Sequence, residues 1–188
     1  MPNPNSHCFH EPADTAVLQR AARIRLLVLD VDGVLTDGAV YMGAEGELLK
    51  AFHIHDGKGI SMLHEAGIKV ALLTARSSEA LLRRAEELRI RHVLQGRNPK
   101  WPALQDLLDT LAISPPEVAY VGDDLVDLPV LRRVGLAVAV ANAHPWVATH
   151  CHWLTRRAGG QGAIREVCEL ILAAQDRLTP MFEHYAQT

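Results

Sequence analysis

The sequence predicts an α/β protein in three layers, with a mainly parallel central sheet covered on both faces by helices. Short runs of continuous apolar residues recur without polar alternation, as strands buried on both faces require. Between them stand segments with apolar residues at helical spacing. Strand and helix patterns alternate along most of the 188 residues, which makes successive strands parallel neighbours.

Residues 1–20 begin with Pro, Asn, His and acids without periodicity, and read as a loose N-terminal arm. IRLLVLD at 24–30 is the first strand. The next stretch, DGAVYMGAEGELLKAFHIHDG, breaks the alternation. Its segments 39–42 and 48–54 alternate around a Gly-rich turn at 43–46, a β-hairpin inserted at about 37–56. A short helix at 59–66 stops at Gly67. KVALLT at 69–74 is the second core strand, and a helix over 78–88 carries Leu81, Leu82, Ala85 and Leu88. HVLQG at 92–96 is a shorter strand, followed by a helix over 101–111. EVAYVGD at 117–123, a helix over 125–134 and LAVAVAN at 136–142 continue the pattern. Ile164, Val167, Cys168, Ile171 and Leu172 place the last helix over 163–174. The domain spans 21–175, and 176–188 reads as a C-terminal tail.

A chain of 188 residues fits one domain and buries roughly 70% of its unfolded surface without disulfide or structural metal. A formal charge of −3 and 5% aromatic residues exclude a basic stripe or a base-stacking platform, so no nucleic acid is expected. No apolar run reaches the ~20 residues of a membrane span, and the first residues show no secretory pattern. Cys8, Cys151 and Cys168 are odd in number and lack CxxC spacing. They read as reduced thiols of a cytoplasmic protein.

Ligands of an open parallel sheet sit beyond the carboxyl ends of its strands, and four features fall there. In DVDGVLTDG, Asp30 closes strand one and Asp32 follows two residues later, so both carboxylates face the same way in extended backbone. Such a pair repels unless a cation joins it or one member is protonated. A hard cation with oxygen ligands answers this, and Mg²⁺ is the usual one beside phosphates. Thr74 closes the second strand in LLTAR, where a hydroxyl and turn N–H groups can donate to phosphate. Lys100, at a helix start in NPKWP, brings a point charge for phosphate or for the nucleophile. VGDDLVD adds Asp123, Asp124 and Asp127, a third carboxylate for the cation and more to hold its waters.

These four motifs resemble those of the haloacid dehalogenase-like phosphatase superfamily. FHIHDGKGI, NPKWPALQDLLDTL, VAYVGDDLVDLPVLRRVGLAVAVANAHP and AGGQGAIREVCELIL narrow the resemblance to its small capless branch, the Kdo (3-deoxy-D-manno-octulosonate) 8-phosphate phosphatases, across about residues 24–175. The resemblance implies a Rossmann-like sandwich and Mg²⁺-dependent hydrolysis of that sugar phosphate, a step in lipopolysaccharide precursor synthesis. Asp30 would be the nucleophile that becomes aspartyl-phosphate, and Asp32 the acid and then the base. The Asp30 and Asp123 carboxylates and the Asp32 carbonyl would hold Mg²⁺, supported by Asp124 and Asp127. Thr74 and Lys100 would bind phosphoryl oxygens. His53, Ile54, His55, Asp56, Gly57, Arg76 and Arg84, with Asp32 and Lys100, would line the sugar site. The resemblance also implies a homotetramer paired through the hairpins, and a lid made by residues 158–167 over a neighbouring active site. Ala75 stands where relatives often carry Gly, and His55 and Ser61 where relatives carry Arg.

Two alternatives remain at this level. One is the same chemistry on a nine-carbon 2-keto-3-deoxy acid 9-phosphate. The other is a phosphoacceptor signalling module, which places its acceptor Asp after the third strand and lacks the Asp two residues on. DGKG around Lys58 is not a P-loop, since no GxxxxGK[ST] is present. His150-Cys151-His152 reads as a strand entry, not a zinc site.

Overall fold

The computed structural model describes residues 14–44 and 46–187. Six parallel strands form the main sheet: β1 (Leu26–Leu29), β4 (Lys69–Leu73), β5 (His92–Leu94), β6 (Val118–Gly122), β7 (Leu136–Ala139) and β8 (Trp153–Leu154). Their order is β5-β4-β1-β6-β7-β8. The most apolar strands are central because a strand with a neighbour on each side and helices on both faces has no surface left for water. All of β1 and β6 is buried.

The pleat divides β1 between two cores. Leu27 and Leu29 pack with Val17, Ile60, Leu63, Leu81, Val167 and Ile171 on one face. Leu26 and Val28 pack with Leu104, Leu108, Tyr120, Val130 and Val147 on the other. The first face is covered by α1 (Thr15–Ala21), α2 (Ile54–Glu65), α3 (Glu79–Glu87) and α7 (Ala163–Ala174); the second by α4 (Lys100–Leu111), α5 (Leu128–Leu131) and α6 (Pro145–Ala148). A hairpin of β2 (Tyr41–Gly43) and β3 (Gly46–Leu49) forms its own antiparallel sheet, and α8 (Leu178–Gln187) ends the described chain. In register, Leu29 of β1 sits beside Leu72 of β4 and Val121 of β6. The next residues of all three strands therefore emerge at one edge. Among the described residues no helix is long and apolar enough to cross a membrane.

Several sequence expectations are corrected. Residues 15–20 of the expected arm belong to α1, whose Val17 and Ala21 are buried; the rest of the arm, 1–13, lies outside the described residues. The tail carries α8, anchored by buried Leu178. The second hairpin strand ends at Leu49, and residues 54–57 are the first turn of α2, not strand or loop. Glycines at 57 and 59 hide this helix from propensity. Their use is close packing: a Cβ on Gly59 would lie 3.1 Å from Arg165 Cα of α7. Residues 125–134 split into a 3₁₀ turn at Leu125–Asp127 and the single-turn α5. Cys151 and His152 precede β8, and the His152 Nδ1 accepts the Ala137 N–H at 2.9 Å.

The α2–α7 contact generates a stability prediction. Gly59→Val inserts a branched side chain against the α7 backbone, and should cost about 1–3 kcal/mol as overpacking does. Urea unfolding of the variant measures this; an unchanged midpoint would show that the helices have room to part.

Candidate active site

The Asp30 N–H still donates to Val121 O at 3.0 Å, so the sheet ladder fixes the residue that follows β1. The chain then turns sharply: the N–H groups of Leu35 and Thr36 both return to Val31 O, at 2.9 and 3.0 Å. Gly33 sits in this turn at φ +88°, and a Cβ there would fall 2.1 Å from Asp123 Oδ2. Only glycine allows both the positive φ and the approach of the Asp123 carboxylate.

Asp123 and Asp127 come from the turn after β6. One carboxylate oxygen from each of Asp30, Asp123 and Asp127 lies within 4.8 Å of the other two. Lys100, the first residue of α4, is 1% exposed. Its ammonium lies 2.7 Å from Asp30 Oδ1 and 2.6 Å from Asp127 Oδ1. The Tyr120 hydroxyl, missed by the sequence reading inside a buried strand, also donates to Asp127 Oδ1, at 2.6 Å. Asp127 Oδ2 accepts the N–H groups of Asp123 (3.0 Å) and Asp124 (3.2 Å). Both Asp127 oxygens are thus engaged by protein donors. This makes Asp127 the holder of Lys100 and of the turn, and leaves Asp30 and Asp123 to face a cation. Asp124 is exposed, and its side chain caps the 3₁₀ turn by accepting the Leu125 N–H at 2.7 Å.

Three carboxylates against one ammonium leave two negative charges in a place that water hardly reaches. Burial, and then Asp127, push the Asp30 carboxyl up to about 6 despite Lys100. Burial and the neighbouring carboxylates Asp30, Asp127 and Asp124 raise Asp123 to about 7. Lys100 is held above its ordinary value: burial works the other way, but Asp30 and Asp127 outweigh it. Raised carboxyls with two uncompensated charges and oxygen donors suit a hard dication.

Thr74 follows β4 and is 2% exposed; its Oγ1 accepts the Arg76 N–H at 3.2 Å. Asp32 lies beside the acidic cluster on the hairpin side. Lys50, whose side chain is 4% exposed, donates to Asp32 Oδ1, and Arg76 Nε lies 4.0 Å from Asp32 Oδ2. Glu47 of β3 joins them, 3.2 Å from the Lys50 ammonium and 3.0 Å from an Arg76 nitrogen, and accepts the Ser78 hydroxyl at 2.8 Å. Burial raises the Glu47 carboxyl, but the Ser78 and Lys50 donors and the two cations outweigh this and hold it below its ordinary value. Lys50, Glu47 and Ser78 were not singled out from the sequence, because pairing a hairpin with a distant strand end leaves no local signal.

The other expected sugar contacts gather around the start of α2. His53 caps the helix, its Nδ1 accepting the His55 N–H, while Ile54 and His55 are exposed. Arg84 pairs with Glu87 at 2.8 Å, and a Cβ on Gly57 would lie 2.5 Å from its guanidinium. Asp56 corrects its assignment. It is 1% exposed and its Oδ1 accepts the Arg165 N–H at 2.8 Å, so it caps α7 from inside the fold. Among the described residues no hydrogen bond or ion pair joins this group to the acidic cluster. The segment 158–167, expected as a lid, is held within the chain. The Gly159 N–H donates to Asn142 Oδ1 and that of Gly160 to Val34 O of the same chain. Ala163, Ile164 and Val167 are fully buried in α7.

Comparison with known proteins shows the family and the fold. The family described as haloacid dehalogenase-like hydrolase matches residues 92–166. The chain is 53% identical over 171 residues to the 3-deoxy-D-manno-octulosonate 8-phosphate phosphatase of Yersinia pestis, covering 91% of both chains. The crystal structure of a phosphatase of that name from Y. pestis superposes with a TM-score of 0.86, covering 88% of this chain and 89% of that one at 53% identity. The Moraxella catarrhalis phosphatase of the same name, solved in complex with magnesium ion, phosphate ion and KDO, matches with a TM-score of 0.88 at 41% identity, over 90% of this chain and 97% of that one.

The raised carboxyls set a pH dependence. Asp30 and Asp123 keep their protons to higher pH in the fold than in the unfolded chain, where carboxyls titrate near 4. This stabilisation of the metal-free protein is complete below about pH 4 and is lost as pH rises through about 6 to 7. Added Mg²⁺ competes with those protons, so it should raise Tm more at pH 8 than at pH 5. Scanning calorimetry with and without the ion tests this; an equal gain at both pH values would contradict the arrangement.

Proposed function

The chain belongs to the haloacid dehalogenase-like hydrolases, in the branch of the 3-deoxy-D-manno-octulosonate 8-phosphate phosphatases, and from this membership we propose that it hydrolyses that phosphomonoester to Kdo and inorganic phosphate. The observation that carries the reading is the group of buried Asp30, Asp127 and Lys100 with half-buried Asp123 at one edge of the sheet. Phosphoryl transfer is governed by positioning and charge stabilisation, and this group is organised for both.

The Asp30 carboxylate attacks phosphorus and forms an aspartyl-phosphate, dividing one hard displacement into two. The Asp30 and Asp123 carboxylates and the Asp32 backbone carbonyl hold Mg²⁺, which neutralises charge on the phosphoryl oxygens when bound. Asp32 gives a proton to the departing sugar oxygen and then takes one from the water that attacks the phospho-aspartate. Lys100, already fixed by Asp127, offsets the charge around Asp30. Thr74 adds a hydroxyl donor for the phosphoryl group, and Arg76 supplies a cation on the sugar side.

Assembly and location belong to the same proposal. The hairpin exposes Val40, Tyr41, Met42, Leu48 and Leu49, with Leu48 70% exposed. A two-stranded sheet standing alone is marginal and its free edges invite pairing. A homotetramer joined through these hairpins covers that surface. The free thiols of Cys151 and Cys168 suit the reducing cytoplasm.

Three experiments test the reading. In a phosphate-release screen across phosphosugars, Kdo 8-phosphate should be the best substrate; preference for a nine-carbon acid 9-phosphate would move the assignment within the branch. EDTA should stop turnover and Mg²⁺ restore it. Asp30→Asn should lower kcat by more than about 10,000-fold, the scale of losing a covalent nucleophile, while leaving the circular dichroism spectrum unchanged. Wild-type rates in that variant would remove Asp30 from the chemistry.

A further inference from the structure

Lys50 has no place in the roles above, yet its side chain is among the least exposed of the charged groups on the hairpin, at 4%. It sits directly after β3 and spends its ammonium on two carboxylates, Asp32 and Glu47. Glu47 is in turn held by the Ser78 hydroxyl at the start of α3 and by Arg76 from the loop after β4. Two acids and two bases from three separate places in the chain thereby form one charge-balanced cluster. The only member beside the nucleophile is Asp32, two residues from Asp30.

We propose that Lys50 is the positioning residue for Asp32: the hairpin delivers its ammonium to Asp32 Oδ1, and Glu47 anchors it there. This rests on the phosphatase reading above, with Asp32 as acid and base. Asp32 is on a tight turn, with a side chain 23% exposed. Without a partner it would sample several rotamers, and a general acid serves only when it lies within hydrogen-bond reach of the departing oxygen. Clamping Oδ1 fixes the direction of the carboxyl, and Oδ2, 4.0 Å from Arg76 Nε, is the oxygen left to carry the proton. In the first step the Asp30–phosphorus bond forms, the phosphorus–sugar oxygen bond breaks, and the Asp32 proton goes to the sugar oxygen. In the second, Asp32 takes a proton from water as the water–phosphorus bond forms and the Asp30–phosphorus bond breaks. Lys50 exchanges no proton in either step; it holds the group that does.

A positioned acid matters for a poor leaving group and little for a good one, which separates this role from a structural one. Lys50→Met should lower kcat on the sugar phosphate by about 100-fold, the scale of losing a well-placed general acid, with KM changed less than about threefold and the Mg²⁺-induced Tm shift retained. With p-nitrophenyl phosphate, whose phenolate leaves without a proton, rapid mixing should show a burst of one nitrophenol per site at the wild-type rate. A slow steady state should follow, because hydrolysis of the phospho-aspartate still needs Asp32. Lys50→Arg should recover part of kcat. Glu47→Gln, which keeps Lys50 but weakens its anchor, should show the same leaving-group dependence with a smaller loss, and serves if the first variant does not fold. Unchanged kcat in Lys50→Met, or an equal slowing of the burst with both substrates, would overturn the proposal. Failure of the wild type to hydrolyse any phosphosugar would instead overturn the phosphatase reading.

Discussion

Everything at the carboxyl edge of this sheet answers to an unbalanced charge. Asp30, Asp123 and Asp127 converge within 4.8 Å, and among the described residues the one ammonium that meets them is Lys100. Buried charge that lacks compensation is expensive, so the protein leaves two routes open: protons, as the raised carboxyls of Asp30 and Asp123 show, or a dication. The fold supplies the cluster by register. With Leu29 aligned to Leu72 and Val121, the turns after β1, β4 and β6 cannot avoid one another. Gly33 then removes the one Cβ that would keep the Asp123 carboxylate away.

The two sides of Asp30 are built differently. On one side Asp127 uses all of its acceptor capacity on Lys100, Tyr120 and two backbone N–H groups, so that the cation side is rigid and drawn from adjoining elements of the sheet. On the other, Asp32 is met by residues carried on the hairpin and on the loop after β4. The hairpin thus exposes apolar residues on one side and turns charged ones toward Asp32 on the other. Both belong to a few residues of β2 and β3 and the lysine that follows.

The parallel sheet, its order of strand and helix, and the Asp30, Thr74 and Asp123 positions were legible because each leaves a local mark, a continuous apolar run ending in a polar residue, and Lys100 because it opens a helix after a proline. The last helix, 163–174, matches α7 to the residue, since its apolar face is regular and a glycine precedes it. What escaped was non-local or disguised. Glycines in the first turns of α2 looked like loop, and the proximity of Arg84 and Leu88 to Gly57, and of Arg165 and Cys168 to Gly59, explains them. Asp56 looked like a sugar contact by its place in FHIHDG, but its partner lies 109 residues away in α7. The Gly-rich segment before α7 looked free to move, and its N–H groups turned out to be committed to Asn142 and Val34. Lys50 and Tyr120 carried no mark, one in an irregular hairpin and the other in a buried strand.

The central place of β1 has a consequence for how the molecule breathes. A strand paired on both sides and sealed on both faces opens only when most of the sheet does, whereas β5 and β8 at the borders can detach singly. The amide of Asp30, bonded to Val121 O, belongs to that slowest-exchanging class. The residue assigned the covalent step therefore stays in register through the local fluctuations that loosen the periphery, and any opening large enough to displace it is close to global unfolding.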